Sequence, residues 1–130
     1  MMTETEFNQN VDNVLLKLER SIESASADID FELSEGILEI DFPDGSKIII
    51  NRQAFNREIW VAARSGGYHF TWDGNQWLSN REQRELFDLL SECVSVQSGE
   101  KIIFQPWCKF LFVTLILELT NNTNKVSVQY

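Results

Sequence analysis

The chain has 130 residues, of which 43% are hydrophobic and 24% charged, and this composition excludes a disordered chain and predicts one globular domain. Twenty acidic residues against eleven basic ones give a net charge of −9. That charge disfavours nucleic acid and membrane as partners and favours metal cations and basic proteins. The two cysteines, Cys93 and Cys108, form no CxxC pair, which fits a reducing compartment such as the cytoplasm. The acidic N-terminus is not expected to act as a secretory signal.

The first predicted element is an amphipathic helix over residues 4–24. Thr3 and Glu6 have the spacing of a capping box at its start. One stripe of the helix is apolar and consists of Phe7, Val11, Val14, Leu15, Leu18 and Ile22. A second stripe, on the shoulder of the helix, is acidic and consists of Asp12, Glu19 and Glu23.

From residue 28 the apolar period changes from about 3.6 to two, which is the period of half-buried strands. The turn signal Pro43-Asp44-Gly45 is typical of the tight connections between such strands. The pattern therefore predicts an antiparallel meander with one wet face. Its predicted strands span residues 28–33, 37–42, 46–51, 58–63, 68–72 and 76–79.

Residues 80–98 return to helical spacing and predict a second helix. Ser79 and Glu82 are its predicted capping box, and Gly99 is its predicted stop. The segment 101–104 allows a short final strand. Two amphipathic helices must bury their apolar stripes against the apolar face of the sheet. The predicted fold class is therefore α+β, a two-layer sandwich of two helices on about six antiparallel strands.

Residues 106–130 depart from this pattern. They are predicted to be an atypical apolar extension of a domain that spans residues 1–105. Their apolar run, residues 110–117, is too short to cross a membrane, because a membrane-spanning helix needs about 20 residues. A buried helix or strand is the preferred interpretation.

The sequence offers few groups for catalysis. His69 is the only histidine, and its alternation with Tyr68 and Phe70 predicts that it faces the open side of the sheet. No Cys, Ser or carboxylate partner for it can be identified from the sequence. Nucleophile-elbow, zinc-protease, Walker and dinucleotide-binding motifs are not found. We therefore expect no enzymatic activity.

The acidic stripe is a better candidate site than His69. Glu19 and Glu23 are like charges at i, i+4, which destabilise a helix, and few lysines compensate them. The ordinary interpretation is a solvated helix face, and the functional one is a site for hard cations such as Fe²⁺, Fe³⁺, Mn²⁺ or Ca²⁺. An open stripe cannot enclose an ion, so binding there is predicted to be weak.

Trp60 is the second unusual residue. It alternates with Ile59 and Val61, so it is predicted to lie on the exposed face of the sheet, as an interface anchor would. An inverted strand register, which would bury Trp60, stays open.

Several segments together resemble the frataxin family, and within it the bacterial CyaY type. They are DGSKIIINRQ at residues 44–53, IWVAARSGGYHF at residues 59–70, and the tryptophan pair Trp72 and Trp77. The resemblance covers residues 4–105. It implies the sandwich fold and the function of an iron-binding regulator, and possible iron donor, of iron–sulfur cluster assembly. An iron storage or chaperone protein with ferroxidase-like activity is the alternative, and a pure adaptor protein is a third.

The resemblance also implies which residues act. Family members bind iron (Fe²⁺ or Fe³⁺) weakly through exposed acids of the first helix and first strand, which correspond here to Asp12, Glu19, Glu23, Asp28, Asp30 and Glu32. It implies a contact with the cysteine desulfurase through the acidic ridge, including Glu19 and Glu23. A contact with the scaffold protein is implied around Trp60, and Asn51 and Gln53 are further predicted partner-binding residues. Arg20 and Ser24 stand where acids are common in the family, which predicts a reduced iron capacity. A monomer is expected.

Overall fold

The computed structural model describes residues 2–25 and 28–105, and its first element is helix α1 at Glu4–Ser24. The predicted capping box is present. The Thr3 hydroxyl accepts a hydrogen bond from the Glu6 N–H at 3.1 Å, and the Glu6 carboxylate accepts one from the Thr3 N–H at 2.8 Å. The six buried residues of α1 are those of the predicted apolar stripe. The helix therefore buries the face that its sequence spacing selects.

Six antiparallel strands follow in one sheet, and neighbours in the chain are neighbours in the sheet. Their bounds agree with the predicted ones to within two residues. The strands are β1 (Asp30–Ser34), β2 (Ile37–Asp41), β3 (Lys47–Gln53), β4 (Glu58–Ala63), β5 (Gly66–Trp72) and β6 (Trp77–Ser79). The predicted α+β sandwich is thus confirmed, with β1 at one edge of the sheet and β6 at the other.

Alternation along β4 fixes which face of the sheet is wet. Ile59 and Val61 are 0% and 2% exposed and belong to the core. Trp60 lies between them and therefore points to the opposite, open face. The predicted exposure of Trp60 on that face is confirmed, although the side chain is half-buried by its neighbours. The inverted register is excluded.

The second helix, α2, spans Leu86–Ser98 and begins six residues later than predicted. The predicted capping box of Ser79 and Glu82 is wrong. Ser79 is the last residue of β6, pairs with Phe70, and is buried. Its hydroxyl accepts a hydrogen bond from the Arg84 N–H at 2.9 Å. Ser79 therefore belongs to the sheet, although the local sequence pattern predicts that it caps the helix.

The actual cap of α2 is Glu85. Its carboxylate accepts hydrogen bonds from the Phe87 N–H at 3.0 Å and the Asp88 N–H at 3.1 Å. Burial raises the pKa of this carboxyl, while those two hydrogen bonds act in the opposite direction. Gly99, at φ +78°, ends the helix as predicted, because a left-handed residue closes a helix most easily when it has no side chain.

The segment after α2 does not form the short final strand that the sequence allows at residues 101–104. It runs back along α2 and is held there by three serine side chains of the helix. Each serine hydroxyl accepts a hydrogen bond from the backbone N–H of one residue in the segment and donates one to the carbonyl oxygen of that residue, at 2.7–3.2 Å. The pairs are Ser91 with Phe104, Ser95 with Ile102 and Ser98 with Glu100. These bonds hold Ile102 and Phe104 in the core, where both are buried.

The predicted C-terminal extension, residues 106–130, lies outside the described residues, as does its predicted buried helix or strand. Within the described part of the chain, no helix combines the length and apolarity needed to cross a membrane.

Candidate functional site

The predicted site residues lie on two surfaces of the sandwich. The first, which we call the acidic edge, is formed by the outer side of α1, by Asp28 two residues before β1, and by β1 itself. It consists of Asp12, Glu19, Glu23, Asp28, Asp30 and Glu32. The second, which we call the aromatic face, lies on the open side of the sheet. It consists of Asn51, Gln53, Glu58, Trp60, His69 and Asn80.

Helix and strand periods arrange the acidic edge in two lines. Residues 12, 19 and 23 fall at i, i+7 and i+11, which places them along one side of α1. Asp30 and Glu32 alternate along β1 on the open side of the sheet, opposite Asp41 and Glu39 of β2. The fold therefore brings the helical and the strand carboxylates to the same edge of the molecule, but in different layers.

The two acids of β2, Glu39 and Asp41, share one cationic neighbour. Lys47 donates to Glu39 at 2.7 Å and to Asp41 at 2.6 Å. The hydrogen bond from Lys47 holds the pKa of Asp41 below its usual value. Among residues 2–25 and 28–105, by contrast, none of the acids of the acidic edge except Asp12 forms an ion pair. Uncompensated negative charge is therefore greater along the acidic edge than on β2.

Asp12 is the exception within the acidic edge. Its carboxylate lies 2.5 Å from Arg52 Nη2, and the Nη1 of the same guanidinium donates to Asn8 at 3.0 Å. Arg52 reaches α1 by crossing over Gly36 in the β1–β2 turn, where a Cβ would lie 3.0 Å from Arg52 Nε. This predicted metal-binding residue is thus already engaged by a cation of the protein.

The carboxylates of the acidic edge are dispersed and do not surround a common point where a metal ion could bind. In the described residues, no group of three or more His, Cys, Asp or Glu side chains is arranged to enclose an ion. The available donors are exposed carboxylate oxygens, which suit hard cations that keep part of their hydration shell. This donor set could hold a hard cation only loosely, at the surface of the protein.

The aromatic face is internally bonded. The rings of Trp60 and His69 stack with their centroids 4.3 Å apart and their planes 4° from parallel. Trp60 Nε1 donates to Glu58 Oε1 at 2.8 Å, and His69 Nδ1 lies 3.8 Å from the same oxygen. The sequence interpretation that His69 lacks a carboxylate partner is therefore wrong. The β4–β5 register, which sets Trp60 opposite His69, creates the contact.

Sequence reasoning also missed Glu58 and Asn80. Asn80 Nδ2 donates to Glu58 Oε2 at 3.0 Å, and the Asn80 N–H donates to the His69 carbonyl at 2.8 Å. Glu58 was detectable, because the strand period places it on the same face as Trp60 two residues later. Asn80 carried no such signal, since it reaches the face from the turn after β6.

The two remaining predicted partner-binding residues lie beside this network. Asn51 of β3 pairs with Trp60, and Gln53 pairs with Glu58. The side-chain oxygen of Asn51 is buried and has no hydrogen-bond partner among the described residues. The result is a half-buried indole held in one orientation and surrounded by polar groups, which is the usual make-up of a protein-contact anchor.

The fold and these two surfaces define a class of protein: a small acidic α+β sandwich with a charged edge and an aromatic sheet face. The family model of the frataxin-like domain matches residues 1–100. The chain belongs to the frataxin-like family.

Two bacterial relatives show how far the similarity extends. The iron-sulfur cluster assembly protein CyaY of Dechloromonas aromatica is 47% identical over 105 residues, which is 80% of this chain and all of that protein. The protein of the same name from Vibrio cholerae is 46% identical over 101 residues, covering 78% of this chain and 97% of that protein. Both alignments leave about a fifth of this chain unmatched.

Solved structures agree with the fold. Frataxin from Psychromonas ingrahamii superimposes with a TM-score of 0.76 at 32% identity, over 80% of this chain and 99% of that one. A trimeric frataxin from Saccharomyces cerevisiae complexed with ferrous iron gives a TM-score of 0.58 at 29% identity, over 77% of this chain and 89% of that one.

Proposed function

We propose that this chain is an iron-binding regulatory protein, and an iron donor, of iron–sulfur cluster assembly. It acts in the cytoplasm as a monomer, without catalysis of its own, on the complex of cysteine desulfurase and scaffold protein. The names of its CyaY relatives support the pathway. The observation that carries the proposal is the acidic edge, whose carboxylates outside Asp12 have no ion-pair partner within residues 2–25 and 28–105.

Iron is cargo in this proposal. Exposed carboxylates bind a hard cation through few protein ligands, so the ion exchanges readily and can be passed to a tighter site. Glu19, Glu23, Asp28, Asp30 and Glu32 are the proposed ligands, with Asp12 contributing once Arg52 releases it. The ferrous complex of the yeast relative supports the choice of metal.

The two surfaces then have separate tasks. The acidic edge docks on a basic surface of the desulfurase through long-range attraction. The aromatic face contacts the scaffold through Trp60, with Asn51 and Gln53 beside it. Because Glu19 and Glu23 lie in the helix layer and Trp60 lies on the open face of the sheet, one molecule can contact both partners at once.

A metal titration tests the iron part of the proposal. Anaerobic Fe²⁺ is added to the full chain, and amide resonances are followed by NMR. Broadening should concentrate in residues 12–32, with a dissociation constant of micromolar order or weaker. The variant E19Q/E23Q should weaken binding several-fold, whereas the control E82Q/E100Q removes two exposed acids elsewhere and should not. Broadening centred on His69, or equal loss in both variants, would contradict the assignment.

The alternative function, an iron store with ferroxidase-like activity, is supported by the trimeric yeast relative with ferrous iron. Sedimentation of the iron-loaded chain in air separates the two functions. A regulator stays monomeric and leaves the rate of iron oxidation unchanged at catalytic protein amounts. An iron store grows in mass and accelerates that oxidation.

A further inference from the structure

A groove of about 310 Å³ lies between α1 and the β1–β2 hairpin, inside the acidic edge. Its walls include Leu16 of α1 and Leu33 of β1, which are 45% and 41% exposed. Two large apolar side chains thus meet water at the centre of the most acidic part of the chain. Exposed apolar groups that converge in this way are typical of contact sites.

Neither leucine is explained by the sandwich core. Leu16 interrupts the acidic line of α1, four residues after Asp12 and three before Glu19, on the side of the helix that faces away from the core. Leu33 lies on the side of β1 that faces the core, and it pairs with the fully buried Leu38. It stays open because β1 is the edge strand and α1 does not cover it.

The two ends of the groove differ in charge. At one end Arg52 pairs with Asp12 and lies across Gly36, so the charges at this end are balanced. At the other end Glu19 lines the groove, and Glu23 follows one turn later on α1. Neither of these two acids forms an ion pair in the described part of the chain. An occupant that suits both ends carries an apolar side chain next to a cationic one.

We propose that this groove seats an aliphatic or aromatic side chain of the protein that docks on the acidic edge, with a neighbouring Lys or Arg of the same segment contacting Glu19 and Glu23. This inference rests on the proposed docking function and names the chemistry of the docked segment. Charge complementarity selects this occupant. Residues 1–35 hold nine acids and two bases, so a second copy of the same edge would be repelled.

The two kinds of contact affect different rate constants. Long-range attraction by the acids raises the association rate and is screened by salt. Apolar contact forms only after the encounter, so it lowers the dissociation rate and depends little on salt. A purely electrostatic edge and an edge with an apolar pocket are therefore distinguishable by kinetics.

The test uses the full chain and purified cysteine desulfurase, with both rate constants measured by biolayer interferometry at several salt concentrations. The variant L16Q/L33Q should raise the dissociation rate about tenfold and leave the association rate and its salt slope unchanged. The variant E19Q/E23Q should lower the association rate and flatten the slope. The single variant L16Q, which changes only an exposed helix position, guards against misfolding. The control V96Q replaces an apolar residue of α2 that is 66% exposed and should match the wild type.

The outcomes separate the inference from the function on which it rests. If L16Q/L33Q and L16Q dissociate like the wild type while E19Q/E23Q binds poorly, docking is electrostatic and the pocket is overturned. If the wild type does not bind the desulfurase, both the docking function and the proposed pocket are overturned. Methyl NOEs from Leu16 or Leu33 to residues 106–130 in the free chain would assign the groove to this protein's own C-terminus. Self-association that L16Q/L33Q abolishes would assign it to a second copy, and either result overturns the proposal.

Discussion

The acidic edge and the aromatic face differ in how their side chains are held. On the edge, Glu23 is exposed and Glu19 is half-buried, and neither has an ion-pair partner among residues 2–25 and 28–105. On the face, Trp60 is stacked on His69 and bonded to Glu58, which is bonded in turn to Asn80. One surface is charged and loosely held, and the other is polar, aromatic and fixed.

This difference indicates two kinds of recognition. A field from unpaired carboxylates acts over about 8 Å at physiological ionic strength and needs no fixed side-chain geometry. A stacked indole acts only at contact, but it loses little side-chain entropy on binding because its orientation is already set. The first suits cations and the initial encounter with a basic partner, and the second suits the lifetime of the bound complex.

The largest expected effect separates the aromatic face from the core beneath it. Trp77 is 2% exposed, packs edge-on against Phe7 at 6.1 Å and contacts Trp72. We expect Trp77→Ala to lower the free energy of unfolding by about 3–5 kcal/mol. Trp60→Ala loses the stack on His69 and the hydrogen bond to Glu58, both on the open face, and should cost about 1 kcal/mol. Urea denaturation of both variants checks this, and equal losses would mean that the aromatic face is part of the core.

The second effect tests contact recognition on the aromatic face. Trp60→Ala should weaken assembly of the ternary complex with desulfurase and scaffold by about 30-fold, or about 2 kcal/mol, as for an interface anchor. Its binding to the desulfurase alone should be nearly unchanged. Trp60→Phe keeps an aromatic ring but removes the N–H that Glu58 accepts, so its loss should be intermediate. Isothermal titration measures the affinity for the desulfurase alone and for its complex with the scaffold. Equal losses in the two affinities would mean that the two surfaces do not bind different partners.

The third effect tests the field of the acidic edge. The charge-reversal variant E19K/E23K should slow association with the desulfurase about tenfold at low salt, because steering changes encounter rates by a factor of ten or more. The difference from the wild type should shrink as salt is raised. Stopped-flow mixing at two salt concentrations measures this. The reversal E82K/E100K has the same net charge but lies off the edge, and an equal effect from it would mean that only net charge matters.

The smallest effect concerns the boundary between the edge and the sheet. Lys47→Met removes the hydrogen bond that lowers the pKa of Asp41, so that pKa should rise toward its usual value. A lowered folded-state pKa gives stability above the unfolded-state pKa that is lost as pH falls, and the variant should lose less of it on acidification. Carboxyl NMR titration checks the shift. Asp44, whose pKa Ser46 and Arg64 hold at about 2, is the internal control and should not move.

Much of the fold was predictable because it follows from local periods. The apolar stripe of α1, its Thr3–Glu6 cap and the alternation of β4 all appear in the structure as the spacing predicts. The start of α2 was not predictable in the same way. Ser79 and Glu82 have the spacing of a cap, but Ser79 pairs with Phe70 in the sheet, and Glu85 caps the helix. Local signals identify a capping pattern, but long-range pairing decides which one is used.

The candidate site divides along the same line. The sequence by itself determined the acidic residues of α1, the face of the sheet on which Trp60 lies, and the family resemblance. Each of these depends on short stretches of the chain. The tertiary structure alone decided that Arg52 neutralises Asp12 from 40 positions away. It also decided that Glu58 lies beside His69 and that Leu16 and Leu33 share a groove. Contacts of this kind depend on strand register and on how a helix sits over a sheet, and a linear pattern of charges and apolar residues encodes neither one directly.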